Sequence, residues 1–130
     1  MLSNVATAYL IRAKQRYGAR VAKGAAAYLT LGNAAADGSL AKNSFFEGGK
    51  DSQAEDFLAA AYLLANAFRS NSTSSPDSLP TVKKFKAFMK EYEMTLAASK
   101  KKKDASESYA KSVELLKVFL DSVETPPNAS

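Results

Sequence analysis

The sequence predicts an all-α protein, a four-helix bundle of up-down-up-down connectivity with a long loop between the first and second helices. Three observations predict it. Four segments carry apolar residues at alternating spacings of three and four, the period of one helix face. No useful length of chain alternates apolar and polar residues as a half-buried strand does. Four amphipathic helices, each with one apolar stripe, reach stability by burying those stripes against one another. The 130 residues, 46% of them apolar, read as one domain spanning 1–130. A chain of this size can bury roughly two-thirds of its unfolded surface, enough for a core without staples.

The first helix is expected at about 4–31. Ala6, Leu10, Ala13, Tyr17, Val21, Gly24 and Tyr28 form its stripe, Ser3 or Asn4 can cap it, and "LGN" offers a Gly stop. Gly18 and Gly24 each cost about 1 kcal/mol relative to Ala inside a helix, so they either admit a close neighbour or mark a bend. Residues 32–50 form a long connection in which Leu40, Phe45 and Phe46 are expected to tuck back onto the body, with Gly48 and Gly49 freeing a turn. The second helix, about 52–70, opens on Ser52 with Glu55 three residues later, a capping box. Its stripe is Ala54, Phe57, Ala61, Leu64 and Phe68, with Leu58 and Ala65 beside it. The third, about 80–98, follows Pro80 and carries Val82, Phe85, Met89, Tyr92 and Leu96. The fourth, about 104–124, begins near Asp104, with Glu107 again three residues on. It carries Tyr109, Val113, Leu116, Leu120 and Val123. Pro126 and Pro127 stop it and leave a tail, 125–130.

Catalytic chemistry is poorly supplied. The chain has no His, Cys or Trp, which removes the commonest general base and every thiol reaction. "SYAK" at 108–111 has the spacing of a Ser–Lys pair but falls on a polar helix face. Most helical acids lie off the apolar stripes, so no inward carboxylate cage for metal is expected, and "EGGKDS" matches no phosphate-binding loop. The reading is a non-enzyme with no cofactor and no metal. No apolar run approaches the roughly 20 residues that span a bilayer. "NST" at 71–73 and "NAS" at 128–130 are sequons of the kind that arise by chance in Ser-rich loops. The N-terminus already reads as helix, so either a cytosolic protein or a trimmed mature chain is expected.

Charge is the informative feature. Residues 1–36 contain Arg12, Lys14, Arg16, Arg20 and Lys23 but no acid, and the formal net charge of +5 resides entirely in that stretch. At about 100° per residue, Arg12, Arg16, Arg20 and Lys23 fall within an arc of about 80° beside the buried stripe. Three of the four are Arg, which suits bidentate contact with carboxylate or phosphate. Two explanations stay open: a docking surface, or internal pairing with acids on the second and fourth helices. A second basic run, Lys100, Lys101, Lys102 and Lys103, reads as a solvated turn that could join a docking surface.

The order of elements resembles a known family. A long basic helix, "YLIRAKQRYGARVAKGAAAYL", precedes a loop with "NSFFEGG". An Ala-rich helix, "DFLAAAYLLANAFR", a Lys-rich one, "VKKFKAFMKEY", and a terminal helix, "DASESYAKSVELLKVFLDSVETPP", complete it. This is similar to the PsbQ-like small extrinsic proteins of photosystem II found in diatoms and related algae. Plant members carry a long Pro-rich segment before the bundle, whereas these 130 residues start directly in the first helix, so any docking role of that segment is not carried over. The resemblance implies a non-catalytic subunit in the plastid, in the thylakoid lumen. It would be peripheral to the membrane and monomeric when isolated, docking on the photosystem II core and other extrinsic subunits. It would stabilise the oxygen-evolving centre by helping retain the manganese cluster, calcium and chloride. The alternative from the residues alone is a small basic helical module for nucleic acid or anionic lipid. Against nucleic acid, the chain outside the first helix has no net charge, whereas such proteins tend to be basic more widely.

Overall fold

A computed structural model describes residues 4–69 and 75–127. Among them 80% lie in helices and none in a strand. There are five α-helices: α1 (Asn4–Tyr28), α2 (Gly32–Asp37), α3 (Gln53–Asn66), α4 (Pro80–Lys100) and α5 (Ser106–Ser122). The cap at Ser3 and both sequons lie outside the described residues.

The expected long loop is an ordered connection. It carries α2 and three single turns of 3-10 helix, at Leu40–Lys42, Ser44–Phe46 and Gly49–Asp51. Leu40 and Phe45 are buried and Phe46 half-buried, so this segment does fold back onto the body. No left-handed Gly ends α1. The Tyr109 hydroxyl donates to the Tyr28 carbonyl at 2.7 Å and accepts from the Leu31 N–H at 3.2 Å. A side chain from α5 thus occupies the backbone groups where the helix breaks, before α2 resumes one turn later.

The helix ends also differ from expectation. Ser52 accepts from the Glu55 N–H at 3.1 Å, but the Ser52 N–H goes to the Gly49 carbonyl, so only the hydroxyl half of the capping box forms. Asp104 does not cap at Glu107. Its carboxylate accepts from the backbone and hydroxyl of Ser106, which holds its pKa below the usual Asp value and starts α5 two residues late. At the far end of α3, Thr81 of α4 donates to the Ala65 carbonyl at 2.7 Å. α4 and α5 both end in Schellman motifs with a non-Gly residue in the left-handed position, Lys102 at φ 58° and Glu124 at φ 54°.

The core centres on Tyr28, whose ring lies 5.2 Å from Tyr109, 5.7 Å from Phe88 and from Tyr92, and 6.2 Å from Phe45. Its hydroxyl shares a 2.6 Å hydrogen bond with Ser112. Gly24 permits the closest approach of α1 to α3, because a Cβ there would lie 2.6 Å from Cγ and Cδ1 of Phe57. Gly18 has nothing within 4 Å of the equivalent position. The predicted stripes are rotated in two places. Phe88, Thr95 and Ser99 of α4 are buried whereas Met89 and Leu96 are half-buried, and Phe119 and Ser112 of α5 are buried whereas Val113 is half-buried. The buried hydroxyls conceal this rotation in the sequence. Thr95 donates to the Glu91 carbonyl, and Ser99 accepts from the Ala41 N–H, so polar residues sit in the core fully bonded.

Candidate functional site

The basic residues of α1 separate into two groups. Lys14 pairs with Glu124 at 2.6 Å, just beyond α5, and lies 5.5 Å from the centre of the Phe68 ring. Arg20 meets Asp56 of α3 through both Nη2 (2.6 Å to Oδ1) and Nε (3.1 Å to Oδ1). The hydrogen bond to Asp56 raises the Arg20 pKa further above its ordinary value. Arg12, Arg16 and Lys23 are exposed and make no ion pair among the described residues. Internal pairing therefore accounts for two of the five cations, Lys14 and Arg20. α3 and the segment just beyond α5 supply counter-charges at positions 20 and 14 and, among the described residues, none pairs with 12, 16 or 23.

Arg12 and Arg16 line an open groove of about 190 Å³ together with Tyr9, Ala13 and Tyr17. Tyr9 is 47% exposed. Tyr17, expected in the core, is half-buried. The Arg20 guanidinium lies 5.6 Å from its ring centre, so the aromatic wall of the groove is braced by the Arg20–Asp56 pair. In the sequence Tyr17 stands beside Arg16, but it also fits the apolar stripe, which hides the groove.

The second basic run lies elsewhere. Lys100 ends α4, and Lys101, Lys102 and Lys103 form the turn to α5, all four exposed. The backbone of this turn is fixed. Lys102 and Lys103 donate to the Ser99 and Ala98 carbonyls, and the Lys102 carbonyl packs on Gly38, where a Cβ would approach to 3.0 Å. Lys100 lines a different groove, about 540 Å³ between α3, α4 and the α2–α3 connection. Phe46, Leu58, Met89 and Leu96 give that groove an apolar lining, and Lys50, Glu55 and Glu93 give it charges of both signs. Arg12 precedes the end of α1 by about 24 Å of helix, so the two basic sets do not form one patch around a shared groove.

Ser108 donates to the Ala105 carbonyl at 3.3 Å in the first turn of α5, as a helix-start hydroxyl commonly does. Among the described residues no group of three or more acidic, His or Cys side chains is placed to hold a metal ion, and no helix is long and apolar enough to cross a membrane. The chain matches no protein-family model, no curated protein and no solved structure.

Proposed function

We propose that this chain is a non-catalytic docking subunit that binds a larger assembly through the outward face of α1. One observation carries the reading: Arg12, Arg16 and Lys23 stand exposed and unopposed on a helix without acids, while the acids Asp56 and Glu124 are already engaged by Arg20 and Lys14. Unopposed like charges on one face weaken an isolated helix slightly. Opposite an acidic surface they steer association and fix orientation.

The body that presents this face is, in this reading, an up-down-up-down four-helix bundle of α1, α3, α4 and α5. The pairings support it. Lys14 meets Phe68 near the end of α3, whereas Gly24 meets Phe57 near its start. Lys14 also meets Glu124 beyond the end of α5, whereas Tyr28 meets Ser112 in its first half. Thr81 of α4 reaches Ala65 of α3, and the Phe85 ring packs at a tilt against Phe119 of α5. Each pair joins an early part of one helix to a late part of the other.

The assembly is proposed to be photosystem II, with the chain a PsbQ-like extrinsic subunit. It would lie in the thylakoid lumen, peripheral to the membrane, and help retain the manganese cluster, calcium and chloride. The order of elements supports this: a long basic helix, a packed connection, an Ala-rich helix, a Lys-rich helix and a terminal helix. The test is rebinding to photosystem II membranes stripped of extrinsic proteins by salt. The protein should co-sediment, restore oxygen evolution, and come off near about 1 M salt, where the screening length is about 3 Å, with its helical signal intact. Failure to rebind refutes the photosystem assignment. A second reading, binding of nucleic acid or anionic lipid, draws on the exposed Tyr9 and half-buried Tyr17 beside two Arg. Filter binding at physiological salt and vesicle flotation test it.

A further inference from the structure

Arg12, Arg16, Arg20 and Lys23 share one arc of α1 in sequence, and the structure divides their roles. Arg12 and Arg16 stand one helical turn apart, at about 5–6 Å between Cβ atoms. Their groove is also lined by an exposed ring, Tyr9, and by a braced ring, Tyr17. Two carboxylates in the partner match that separation if they are two residues apart in an extended segment, about 6.6 Å, or four apart on a helix. Arg and Tyr are also the residue types that concentrate binding energy at protein interfaces.

The distribution of charge selects the occupant. A nucleic-acid backbone needs a run of cations, and the two that would extend the track, Lys14 and Arg20, are held by Glu124 and Asp56. Lys23 lies about 10 Å further along the helix axis. A bilayer surface would need a continuous outward apolar stripe. α1 exposes Val5, Tyr9 and Ile11 in its first turns, but Ile11 lies about 100° or more off the Val5–Tyr9 face, and that face turns cationic at Arg12 and Arg16. We propose, resting on the docking reading, that the Tyr9–Arg12–Arg16–Tyr17 groove receives a segment of the partner protein bearing two neighbouring carboxylates. Arg20 and Asp56 act as positioning residues that hold Tyr17 in place rather than as contacts.

The experiment uses the full chain, isotopically labelled, titrated at low salt with a short Glu-Xaa-Glu peptide in a neutral background and with its Gln-Xaa-Gln counterpart. The expected result is that the side-chain N–H signals of Arg12 and Arg16 and the ring signals of Tyr9 and Tyr17 move with the acidic peptide only. Arg12→Gln with Arg16→Gln should weaken binding by about tenfold or more, as removal of charged contacts at an interface does. Asp56→Asn, which leaves both contact residues in place, should weaken it by a smaller factor and broaden the Tyr17 ring signal. Changing Lys100–Lys103 to Gln should leave it unaltered. The proposal is overturned if the shifts centre on the lysine turn. It is overturned equally if the two peptides behave alike, or if a single-stranded oligonucleotide or anionic vesicle occupies the groove and the acidic peptide does not. The two readings fail separately. If the Arg12→Gln, Arg16→Gln protein re-docks on stripped membranes as well as the parent, the groove is excluded and docking through Arg12 and Arg16 falls with it, while membership of the assembly stands. If the parent fails on membranes yet takes the acidic peptide in the groove, the photosystem assignment falls and the groove stands.

Discussion

Replacing Gly24 by Ala should destabilise the protein, whereas the same change at Gly18 should stabilise it. Both residues lie inside α1, so each substitution gains about 1 kcal/mol of helix propensity. They differ in what the new methyl group meets. At Gly24 it would lie 2.6 Å from Cγ and Cδ1 of Phe57, and nearer still to Cβ. Favourable carbon contacts lie at about 3.5–4.0 Å, so the overlap is about 1 Å. Phe57 cannot swing aside, because it is 1% exposed and its ring packs against Phe45 and Phe88 at 6.4 and 6.2 Å. Its Cβ is tied to the α3 backbone, so the two helices must separate. Overpacking of this kind costs about 1–3 kcal/mol. With a backbone-anchored obstacle the upper end applies, and the net loss after the propensity gain is about 2 kcal/mol. At Gly18 nothing opposes the methyl group and the full gain of about 1 kcal/mol remains. For a chain of this length these changes correspond to a melting temperature lower by about 7 °C and higher by about 4 °C. Urea and thermal unfolding followed by far-ultraviolet circular dichroism measure both. The Arg20–Asp56 pair lies beside this contact and should loosen in the Gly24→Ala protein only. Equal stability of the two variants would refute the close approach of α1 to α3.

Three further outcomes are expected. Leu64→Ala and Leu116→Ala, both at fully buried sites, should each cost about 2–5 kcal/mol in urea unfolding; a loss under about 0.5 kcal/mol at both, typical of surface positions, would mean the core is misassigned. Lys102→Gly should stabilise the protein by about 1 kcal/mol, because the left-handed backbone there suits Gly, and an unchanged denaturation midpoint would count against that conformation. Burial pushes the Tyr28 hydroxyl up to about 12 from its ordinary 10.0 and raises Tyr92 and Tyr109 as well. The folded state therefore holds these protons more tightly than the unfolded chain. The stability from the neutral phenols is complete below pH 10 and is lost as the pH rises through about 12. Tyrosinate absorbance and helical signal should change together for these residues in that window, and ionisation of all three with the fold intact would contradict their burial.

The sequence alone determined that the protein is helical, where the four long helices lie, and that α1 carries an unbalanced positive charge. Those properties are local: the period of apolar residues sets a helix face, and charge is a count along the chain. The sequence also gave notice that Leu40, Phe45 and Phe46 fold back, since large apolar residues in a loop need cover. Tertiary structure decided what depends on partners distant in the chain. Thr95, Ser99 and Ser112 read as surface residues until acceptors or donors in the folded chain satisfy their hydroxyls. α1 breaks at Tyr28 because a phenol more than 80 residues later occupies its backbone groups. Gly18 and Gly24 are indistinguishable as letters, and only the position of Phe57 separates them. Among the five cations, Arg20 acquires an acid from α3 and Lys14 one from the segment just beyond α5, while Arg12, Arg16 and Lys23 pair with none among the described residues, because a salt bridge depends on where two side chains meet and not on how many charges each helix carries.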